Sequence, residues 1–361
     1  MRCRSLAHEA KQQGFEVLFV AKHLHEGVEC FLREDGEKYL RVPDIMTWRE
    51  EAAYVLKMGA NQISAAIIDV STIYALQDIP GISFFFNTIR RYWPVVLLDG
   101  MWDNALAGKV DAHFDMLVTP YVGTENIDYR GGNEGIRLTG PKFFIVGPEY
   151  QSLIRSQREI RDTAGRLLIS FGGSDQNSVT LRVLDALSIL DDRILNVRVI
   201  VGPGFSLALQ SRIEQRGKTL RHNSEIIQYP RSLAEHMFWC DIAVTSSGLT
   251  KYELALTGTP SLQISADKEH ARVNKPFADT GASQHLGIWC DLTIEEIREA
   301  IVGLMEDKRR RERMRDVGQE ILDARGALRV IEETRRLVDA DPRSPESPER
   351  LGSLTLERDT K

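Results

Sequence analysis

Two loops in the C-terminal half of the chain carry residues suited to holding phosphate. The segment 170–175 reads Ser-Phe-Gly-Gly-Ser-Asp and separates a strand-like run from a helix-like run. Gly172 and Gly173 let the backbone approach a ligand, so that N–H groups there and at Ser174 can point at phosphate oxygens. The same residues suit a tight turn with Asp175 as a helix cap, and spacing alone does not decide between the two. The loop matches neither a Walker A motif nor Gly-x-Gly-x-x-Gly.

A second loop of the same kind spans 245–250 and reads Thr-Ser-Ser-Gly-Leu-Thr. Ser247, Gly248 and Thr250 put small residues at a helix start, which is typical of an anion-binding nest. Glu253 follows one turn into that helix, where a carboxylate can accept both hydroxyls of a ribose. The helix dipole alone also favours a glutamate there. Two such loops in one domain favour a nucleotide diphosphate as the ligand.

Acidic residues end two strand-like runs of the N-terminal half. Asp69 and Asp99 stand where open α/β sheets place their ligands, and Asp99 precedes a polar and aromatic run at 100–103. Each carboxylate suits a general acid or base acting on a sugar, and each equally suits a cap at a strand-to-loop turn. We take Asp99 as the candidate catalytic residue. His270 also follows a strand-like run and can face the same ligand.

These residues require a framework of alternating strands and helices. Apolar runs at 15–21, 65–70, 94–99 and 116–119 predict strands, with helix-like stretches at 1–13 and 47–58. After a Pro- and Gly-rich stretch at 140–150, strands are predicted at 166–171, 196–201, 241–245, 260–264 and 287–290. Helices are predicted at about 178–190, up to 256, at 294–306 and at 308–337. The alternation is typical of parallel sheets with crossover helices.

The predicted organisation has two domains and a tail. Residues 1–147 form a Rossmann-like domain, 148–340 a nucleotide-binding domain, and 341–361, rich in Pro, Ser and charge, a disordered tail. A doubly wound domain ordinarily opens with a strand, whereas this chain opens with a helix. Either the domain is atypical or its first strand is missing. We favour a start that lies upstream, with Met1 an internal methionine.

Composition excludes several classes of protein. The 361 residues carry a net charge of −6, which gives no electrostatic case for nucleic acid as a partner. No apolar run approaches the ~20 residues that span a bilayer, and no signal peptide is apparent. The four cysteines form no Cys-x-x-Cys pair, and no His, Asp or Glu spacing suggests a metal. We therefore expect a cytoplasmic protein that needs neither metal nor cofactor; its oligomeric state is left open.

Three stretches together resemble a known family. They are SFGGSDQNSVT at 170–180, SLAEHMFWCDIAVTSSGLTKYELALTGTPSL at 232–262 and KPFADTGASQHLG at 275–287. They resemble the UDP-sugar hydrolase of pseudaminic acid biosynthesis and the related glycosyltransferase-like proteins of spore-coat polysaccharide biosynthesis. GPEYQSLIRSQRE, at 147–159, is similar to the segment that joins the family's two domains. The resemblance spans most of 1–305 and implies a GT-B-like α/β fold of two facing Rossmann-like, doubly wound domains.

The resemblance also implies roles for individual residues. The family's diphosphate contacts fall on Gly173, Ser174, Ser247, Gly248 and Thr250, and Gly172 beside them is a further candidate for substrate binding. Its ribose carboxylate falls on Glu253, and Arg2 matches the arginine that ends its Gly-rich loop. The histidine of that loop, the family's proposed base, has no counterpart here. The family's Asn-Gln pair is replaced by Glu269 and His270, so the sugar contacts differ.

The sequence therefore predicts a protein that binds a nucleotide-sugar, with UDP-sugar hydrolysis at the anomeric carbon as the first hypothesis. Transfer of the sugar to an acceptor is the second. A catalytically inactive nucleotide-sugar binding protein is the third, because the expected base is absent. The sugar and the nucleotide base remain open.

Overall fold

The structure, a computed structural model, describes most of the chain. The described residues are 2–22, 24, 26–59, 63–70, 75–99, 110–126, 135–154, 158–190 and 193–343. They form two compact units, one comprising Met1–Ile145 with Arg325–Lys361 and the other Val146–Ala324. Among the described residues, no helix is both long and apolar enough to cross a membrane.

Unit 1 is the α/β body that contains the N-terminal part of the chain. Its elements are α1 (Arg2–Gln12), β1 (Leu18–Ala21), α2 (Glu26–Glu34), β2 (Lys38–Arg41), α3 (Trp48–Gly59), β3 (Ala66–Ile68), α4 (Ile79–Ile89), β4 (Val95–Leu98), β5 (Met116–Thr119), β6 (Ile136–Thr139) and, from the far end of the chain, α13 (Gly326–Asp339). Gly14, at φ +87°, ends the first helix as expected of a glycine in the left-handed region. All strand pairs are parallel.

The strands of unit 1 form two separate sheets. β1 pairs with β2 alone, and the other sheet runs in the order β3-β4-β5-β6. β4 and β5 are buried throughout, whereas Leu18 and Val20 of β1 are 43% and 38% exposed. β1 therefore lacks the cover that a strand inside an α/β sheet normally has. The expected upstream start stays a prediction.

Unit 2 is a complete doubly wound domain. Its elements are α5 (Pro148–Ile154), β7 (Arg166–Ser170), α6 (Val179–Ser188), β8 (Asn196–Val201), α7 (Leu207–Thr219), β9 (Asn223–Gln228), α8 (Ala234–Trp239), β10 (Ile242–Thr245), α9 (Thr250–Leu256), β11 (Ser261–Ser265), α10 (Lys268–Asp279), β12 (Gln284–Ile288), α11 (Ile294–Glu306) and α12 (Lys308–Ile321). The sheet order is β9-β8-β7-β10-β11-β12, and every pair is parallel. This is the 3-2-1-4-5-6 order of dinucleotide-binding folds.

Several predicted elements differ from the structure. β2, β6 and β9 were not predicted, because their residues are polar and half-exposed and so lack an apolar run. The last strand lies at Gln284–Ile288 rather than 287–290, where it pairs with β11 across an irregularity at Gln263/Ile264. The single helix predicted at 308–337 is two helices. Leu322 is extended and Ala324 has a φ of +58°, so the chain turns between α12 and α13.

The C-terminal helix changes the domain assignment. Residues up to 340 were predicted to belong to the nucleotide-binding domain, but α13 packs in unit 1, where Val330 and Ile331 join a core with Leu6 and Val96. Gly326 lies so close to the backbone of Phe143 and Phe144 that an added Cβ would be 2.0 Å from the carbonyl oxygen of Phe144.

Three residues of the predicted disordered tail, 341–343, belong to unit 1. Asp341 is only 8% exposed, and its carboxylate accepts hydrogen bonds from Arg343. The guanidinium of Arg343 also lies 3.0 Å from a carboxylate oxygen of Asp115. These ion pairs hold 341–343 on unit 1. The remaining residues of the predicted tail, 344–361, lie outside the described residues.

Candidate functional site

The two predicted phosphate loops meet at one point of the unit 2 sheet. β7 and β10 are neighbours, and Thr245 is in register with Ser170. The hydroxyl of Thr245 also donates a hydrogen bond of 2.8 Å to the carbonyl oxygen of Ser170. The strand order reverses between these two strands, since β8 lies on one side of β7 and β10 on the other. Open α/β sheets bind ligands at such a switch point, outside the carboxyl ends of the strands.

The hydroxyl of Ser246 lies between the two loops. A Cβ added to Gly172 would be 3.8 Å from Ser246 Oγ, and one added to Gly248 would be 3.9 Å from the same atom. Gly172 has a φ of +74°, so the turn needs a glycine there. A Cβ added to Gly173 would meet nothing within 4 Å. The two loops thus converge on open space, which the sequence analysis could not establish from either loop alone.

The backbone N–H groups of both loops are available to a ligand. Within the described part of the chain, no backbone carbonyl accepts a hydrogen bond from the N–H groups of residues 172–174 or 246–248. Gly173 and Ser174 are exposed, and Ser246 and Gly248 are half-buried. Backbone N–H groups are strong donors that normally find a partner. Five of these residues, all except the buried Ser247, are exposed or half-buried, and their N–H donors form a site suited to the oxygens of an anion.

Some predicted residues have structural roles here. Asp175, weighed as a helix cap, accepts hydrogen bonds of 2.8 and 2.9 Å from the N–H groups of Val179 and Thr180. The side chain of Ser247 turns away from the opening and is 1% exposed. Thr250 begins α9 and is buried. The hydroxyl of Ser247 therefore does not face the site, and the hydroxyl next to both glycines belongs to the half-buried Ser246, which the site prediction omitted.

Glu253 lies beside Tyr150 in unit 2. The hydroxyl of Tyr150, on α5, hydrogen-bonds the carboxylate of Glu253 on α9. Burial raises the pKa of Glu253 to about 7; the Tyr150 hydrogen bond lowers it and the negative charge of Glu149 raises it. The carboxyl therefore changes charge near neutral pH. No sequence pattern singles out Tyr150 as the partner of Glu253, since the two residues are far apart along the chain.

The loop after β11 lies next to the first phosphate loop. The side-chain amide of Asn177 donates a 3.3 Å hydrogen bond to the carbonyl oxygen of Ala266. In the same loop, Asp267 caps α10 and pairs with His270 at 2.8 Å. Glu269 pairs with Arg272 at 3.1 Å, and both are largely exposed. Glu269 and His270 thus stand at the edge of the candidate site, each with an intrahelical partner.

The predicted residues of unit 1 form a separate cluster. The guanidinium of Arg2 contacts both carboxylate oxygens of Asp69, at 3.2 and 2.6 Å. It also donates to the hydroxyl of Tyr121 at 2.6 Å and to the backbone carbonyl of Asp99 at 3.3 Å. Burial raises the pKa of Tyr121 to about 12, so its hydroxyl stays protonated. Asp99 is 1% exposed, and its carboxylate does not reach the surface in this structure. The aromatic run that follows it, 100–103, lies outside the described residues.

A metal site does not emerge from these clusters. Among the described residues, no group of three or more His, Cys, Asp or Glu side chains is placed to hold a metal ion.

Two proteins are related to the chain in sequence. No family model matches it. The spore coat polysaccharide biosynthesis protein SpsG of Bacillus subtilis (strain 168) is 26% identical over 205 residues, which cover 56% of this chain and 58% of SpsG. An uncharacterized protein of Methanocaldococcus jannaschii, MJ1062, is 30% identical over 268 residues, 72% of this chain and 51% of MJ1062. The chain thus spans little more than half the length of these relatives.

Solved structures resemble the chain over nearly its whole length. MurG of Acinetobacter baumannii has a TM-score of 0.61 at 15% identity and covers 93% of this chain and 95% of its own. Alr3699/HepE of Anabaena in complex with UDP-glucose has a TM-score of 0.59 at 12% identity, with coverage of 92% and 94%. The spinosyn rhamnosyltransferase SpnG has a TM-score of 0.58 at 14% identity, with coverage of 92% and 95%.

The chain has the GT-B fold. The predicted fold class is therefore confirmed. Identities this low show the fold alone, and the same fold carries many activities. The function must be argued from the site.

Proposed function

We propose that the chain binds a nucleoside diphosphate sugar, with uridine as the base, on the two loops of unit 2. The observation that carries the proposal is the set of five backbone N–H donors, on exposed or half-buried residues of both loops, at the switch point between β7 and β10. Such donors hold phosphate oxygens without a net positive charge. Glu253, within the same loop-to-helix segment, would accept the ribose hydroxyls. The complex of the similarly folded HepE with UDP-glucose supports the choice of uridine.

We further propose that the reaction is transfer of the sugar to an acceptor. Hydrolysis was the first hypothesis drawn from the sequence, but two observations favour transfer. The chain is related to SpsG, which is named for polysaccharide biosynthesis, and it shares the fold of the rhamnosyltransferase SpnG. In either reaction the bond from the anomeric carbon to the diphosphate breaks, and the leaving diphosphate gains negative charge. The N–H groups of the two loops would stabilise that charge.

Turnover assays distinguish the three hypotheses. The protein is incubated with UDP-glucose or UDP-N-acetylglucosamine, with and without N-acetylglucosamine as acceptor, and released UDP is measured. Release that depends on the acceptor supports transfer, whereas equal release in its absence supports hydrolysis. Binding of UDP without any release supports the binding-protein hypothesis. Failure of calorimetry to detect UDP or either UDP-sugar would overturn the proposed function.

A pair of glycine substitutions tests the site itself. Gly173 and Gly165 lie just after and just before β7, and a Cβ added to either meets nothing within 4 Å. Gly173→Val should fold normally but place a side chain over the opening and weaken UDP binding at least ~10-fold, because it keeps phosphate away from the N–H groups. Gly165→Val is the matched control and should bind as the wild type does. Equal UDP affinity in both variants would show that the diphosphate binds elsewhere.

The catalytic role of Asp99 stays a prediction. We expect Asp99→Ala to reduce turnover more than UDP affinity. Since Asp99 is almost fully buried, the thermal stability of the variant must be compared with that of the wild type in the same experiment.

A further inference from the structure

A lysine is buried directly behind the second phosphate loop. Lys251 lies in the first turn of α9, three residues after Gly248, and is 0% exposed. Its ammonium nitrogen is 2.8 Å from Asn274 Oδ1 and 3.3 Å from the carbonyl oxygen of Val273, both on α10. The rings of Tyr252 and Phe277 lie 5.5 and 5.6 Å from the same nitrogen. Fully buried lysines are rare in proteins unless they are paired with a negative charge.

A chain of hydrogen bonds joins Lys251 to the loop. The side-chain amide of Asn274 accepts from Lys251 and donates to Ser247 Oγ and Ser265 Oγ, each at 3.0 Å. Asn274 and Ser265 are 0% exposed. Ser247 Oγ is also 3.3 Å from Ser265 Oγ, which in turn is 2.8 Å from His285 Nε2. The inward hydroxyl of Ser247, a residue of the second phosphate loop, is therefore held by a network that includes the amine of Lys251.

The network contains no negative charge. Within the described part of the chain, the hydrogen-bond partners of Lys251 are neutral oxygens, and burial lowers its pKa to about 7. On α10, Glu269 pairs with Arg272 and Lys275 pairs with Asp279, while Lys268 and His270 lie in the first turn of the helix. On β12, burial lowers the pKa of His285, and the positive charges of Lys251 and Lys275 lower it further. On α12, which also packs against α9, Arg315 pairs with Asp316. Glu253, on the same helix as Lys251, bonds Tyr150 instead.

We propose that Lys251 is the internal counter-charge of the diphosphate site, a positioning residue that acts through Asn274 and Ser247 and takes up a proton from solvent when a diphosphate binds. The inference rests on the proposed function, because it needs an anion on the loops. A dianion near the second loop favours the charged form of a nearby amine and so raises its affinity for a proton. By linkage, the protonated amine strengthens binding of the anion by the same factor.

Calorimetry of UDP binding at about pH 8, in two buffers with different ionisation enthalpies, tests the proposal on the full chain. At this pH Glu253 is already mostly ionised and UDP is fully ionised, so neither contributes much. A tenfold coupling between proton and UDP predicts an uptake of roughly 0.4 proton per UDP in the wild type. Lys251→Met should abolish this uptake and should lower UDP affinity less at about pH 9.5 than at about pH 6. Lys275→Met, which removes an exposed cation from α10, is the control and should keep the uptake.

A second variant covers the case in which Lys251→Met does not fold. Asn274→Asp places a carboxylate beside Lys251, keeps the amine charged in the free protein and should also abolish the uptake. UDP binding without proton uptake in the wild type, or with equal uptake in Lys251→Met, would overturn the role of Lys251 and leave the diphosphate site intact. If neither the wild type nor the variants bind UDP, the proposed function fails and this inference fails with it.

Discussion

The hydroxyl of Tyr150 and the carboxyl of Glu253 are hydrogen-bonded to each other, although more than a hundred residues separate them along the chain. Tyr150 is 3% exposed, and burial raises its pKa well above the ordinary value, so the phenol remains a donor. A donor at this position stabilises the ionised carboxylate, which is the form that accepts hydrogen bonds from ribose hydroxyls. The pair therefore connects α5 to the candidate nucleotide site.

The raised pKa of Glu253, about 7, leads to a pH-dependent prediction. At about pH 6 the free carboxyl is mostly protonated, and ribose binding requires its ionised form, so UDP binding should release up to roughly 0.9 proton from this group. Ionisation of Glu253 should raise UDP affinity between about pH 6 and pH 8, whereas loss of the proton from Lys251 acts in the opposite direction, so the contribution of Glu253 is read as the difference between the wild type and Glu253→Gln. In Glu253→Gln the release from this group should vanish and affinity should fall roughly 10-fold to 100-fold at about pH 8, because charge-assisted hydrogen bonds are lost. Calorimetry at both pH values measures each effect, and wild-type behaviour of the variant would remove Glu253 from the site.

Loss of the Tyr150 hydroxyl should change the pH at which Glu253 ionises and at which UDP affinity rises. Its hydrogen bond lowers the pKa of Glu253, so Tyr150→Phe should raise that pKa and shift the rise in UDP affinity to higher pH. The shift is read from UDP affinities measured at half-unit steps of pH. Tyr229→Phe, at a tyrosine of unit 2 that is 42% exposed, is the control. A transition at the same pH in all three proteins would show that Tyr150 does not act on Glu253.

Lys251 should make unit 2 more stable at alkaline pH. Its pKa in the folded protein, about 7, is below that of a lysine in the unfolded chain, so the unfolded state binds more protons between about pH 7 and pH 10. Stability must then rise with pH across this range, as the cost of burying a charge is relieved. Between about pH 7 and pH 9 the free energy of unfolding of the wild type should rise by roughly 2 kcal/mol more than that of Lys251→Met. Urea unfolding at the two pH values measures the difference, and parallel changes would mean that the amine is not desolvated.

The Arg2–Asp69 ion pair should stabilise unit 1 more than an exposed pair does. The side chains of Arg2 and Asp69 are 14% and 24% exposed, against 72% and 88% for Lys38 and Glu16. Asp69→Ala leaves a partly buried guanidinium without its bidentate acceptor and should cost about 2 kcal/mol. Glu16→Ala should change stability far less, because a fully exposed ion pair contributes little to folding. Thermal unfolding of both variants checks the ranking, which equal melting temperatures would contradict.

Backbone amides in β1 should exchange with solvent faster than those in β10. β1 belongs to a two-stranded sheet, and two strands alone are marginally stable in water. β10 lies between β7 and β11 and is fully buried. Hydrogen exchange followed by mass spectrometry should show Leu18–Ala21 exchanging at least ~10-fold faster than Ile242–Thr245. Equal protection would show that β1 has more cover than its two-stranded sheet supplies.

Local patterns in the sequence were enough to predict most elements and the two glycine-bearing turns that follow β7 and β10. The buried strand runs at β4, β5, β7 and β10 are short apolar stretches, and the glycines at 172 and 173 mark a turn whatever surrounds them. Each of these signals depends only on residues that are neighbours along the chain, so the sequence contains all the information needed to predict the element. Half-exposed strands such as β2 and β9 carry no such signal, because their polar residues face solvent.

The site itself was decided by contacts between distant residues. The pairing of β7 with β10 joins Ser170 to Thr245, brings two loops into one opening and turns Ser246 rather than Ser247 toward it. The burial of Lys251 depends on Asn274 and Ser265, which belong to other elements of the fold. A helical lysine followed by Tyr-Glu-Leu reads in sequence as a solvated charge. Only packing in the folded protein excludes water from the Lys251 amine. This desolvation lowers the pKa of the amine and is the basis of its proposed role.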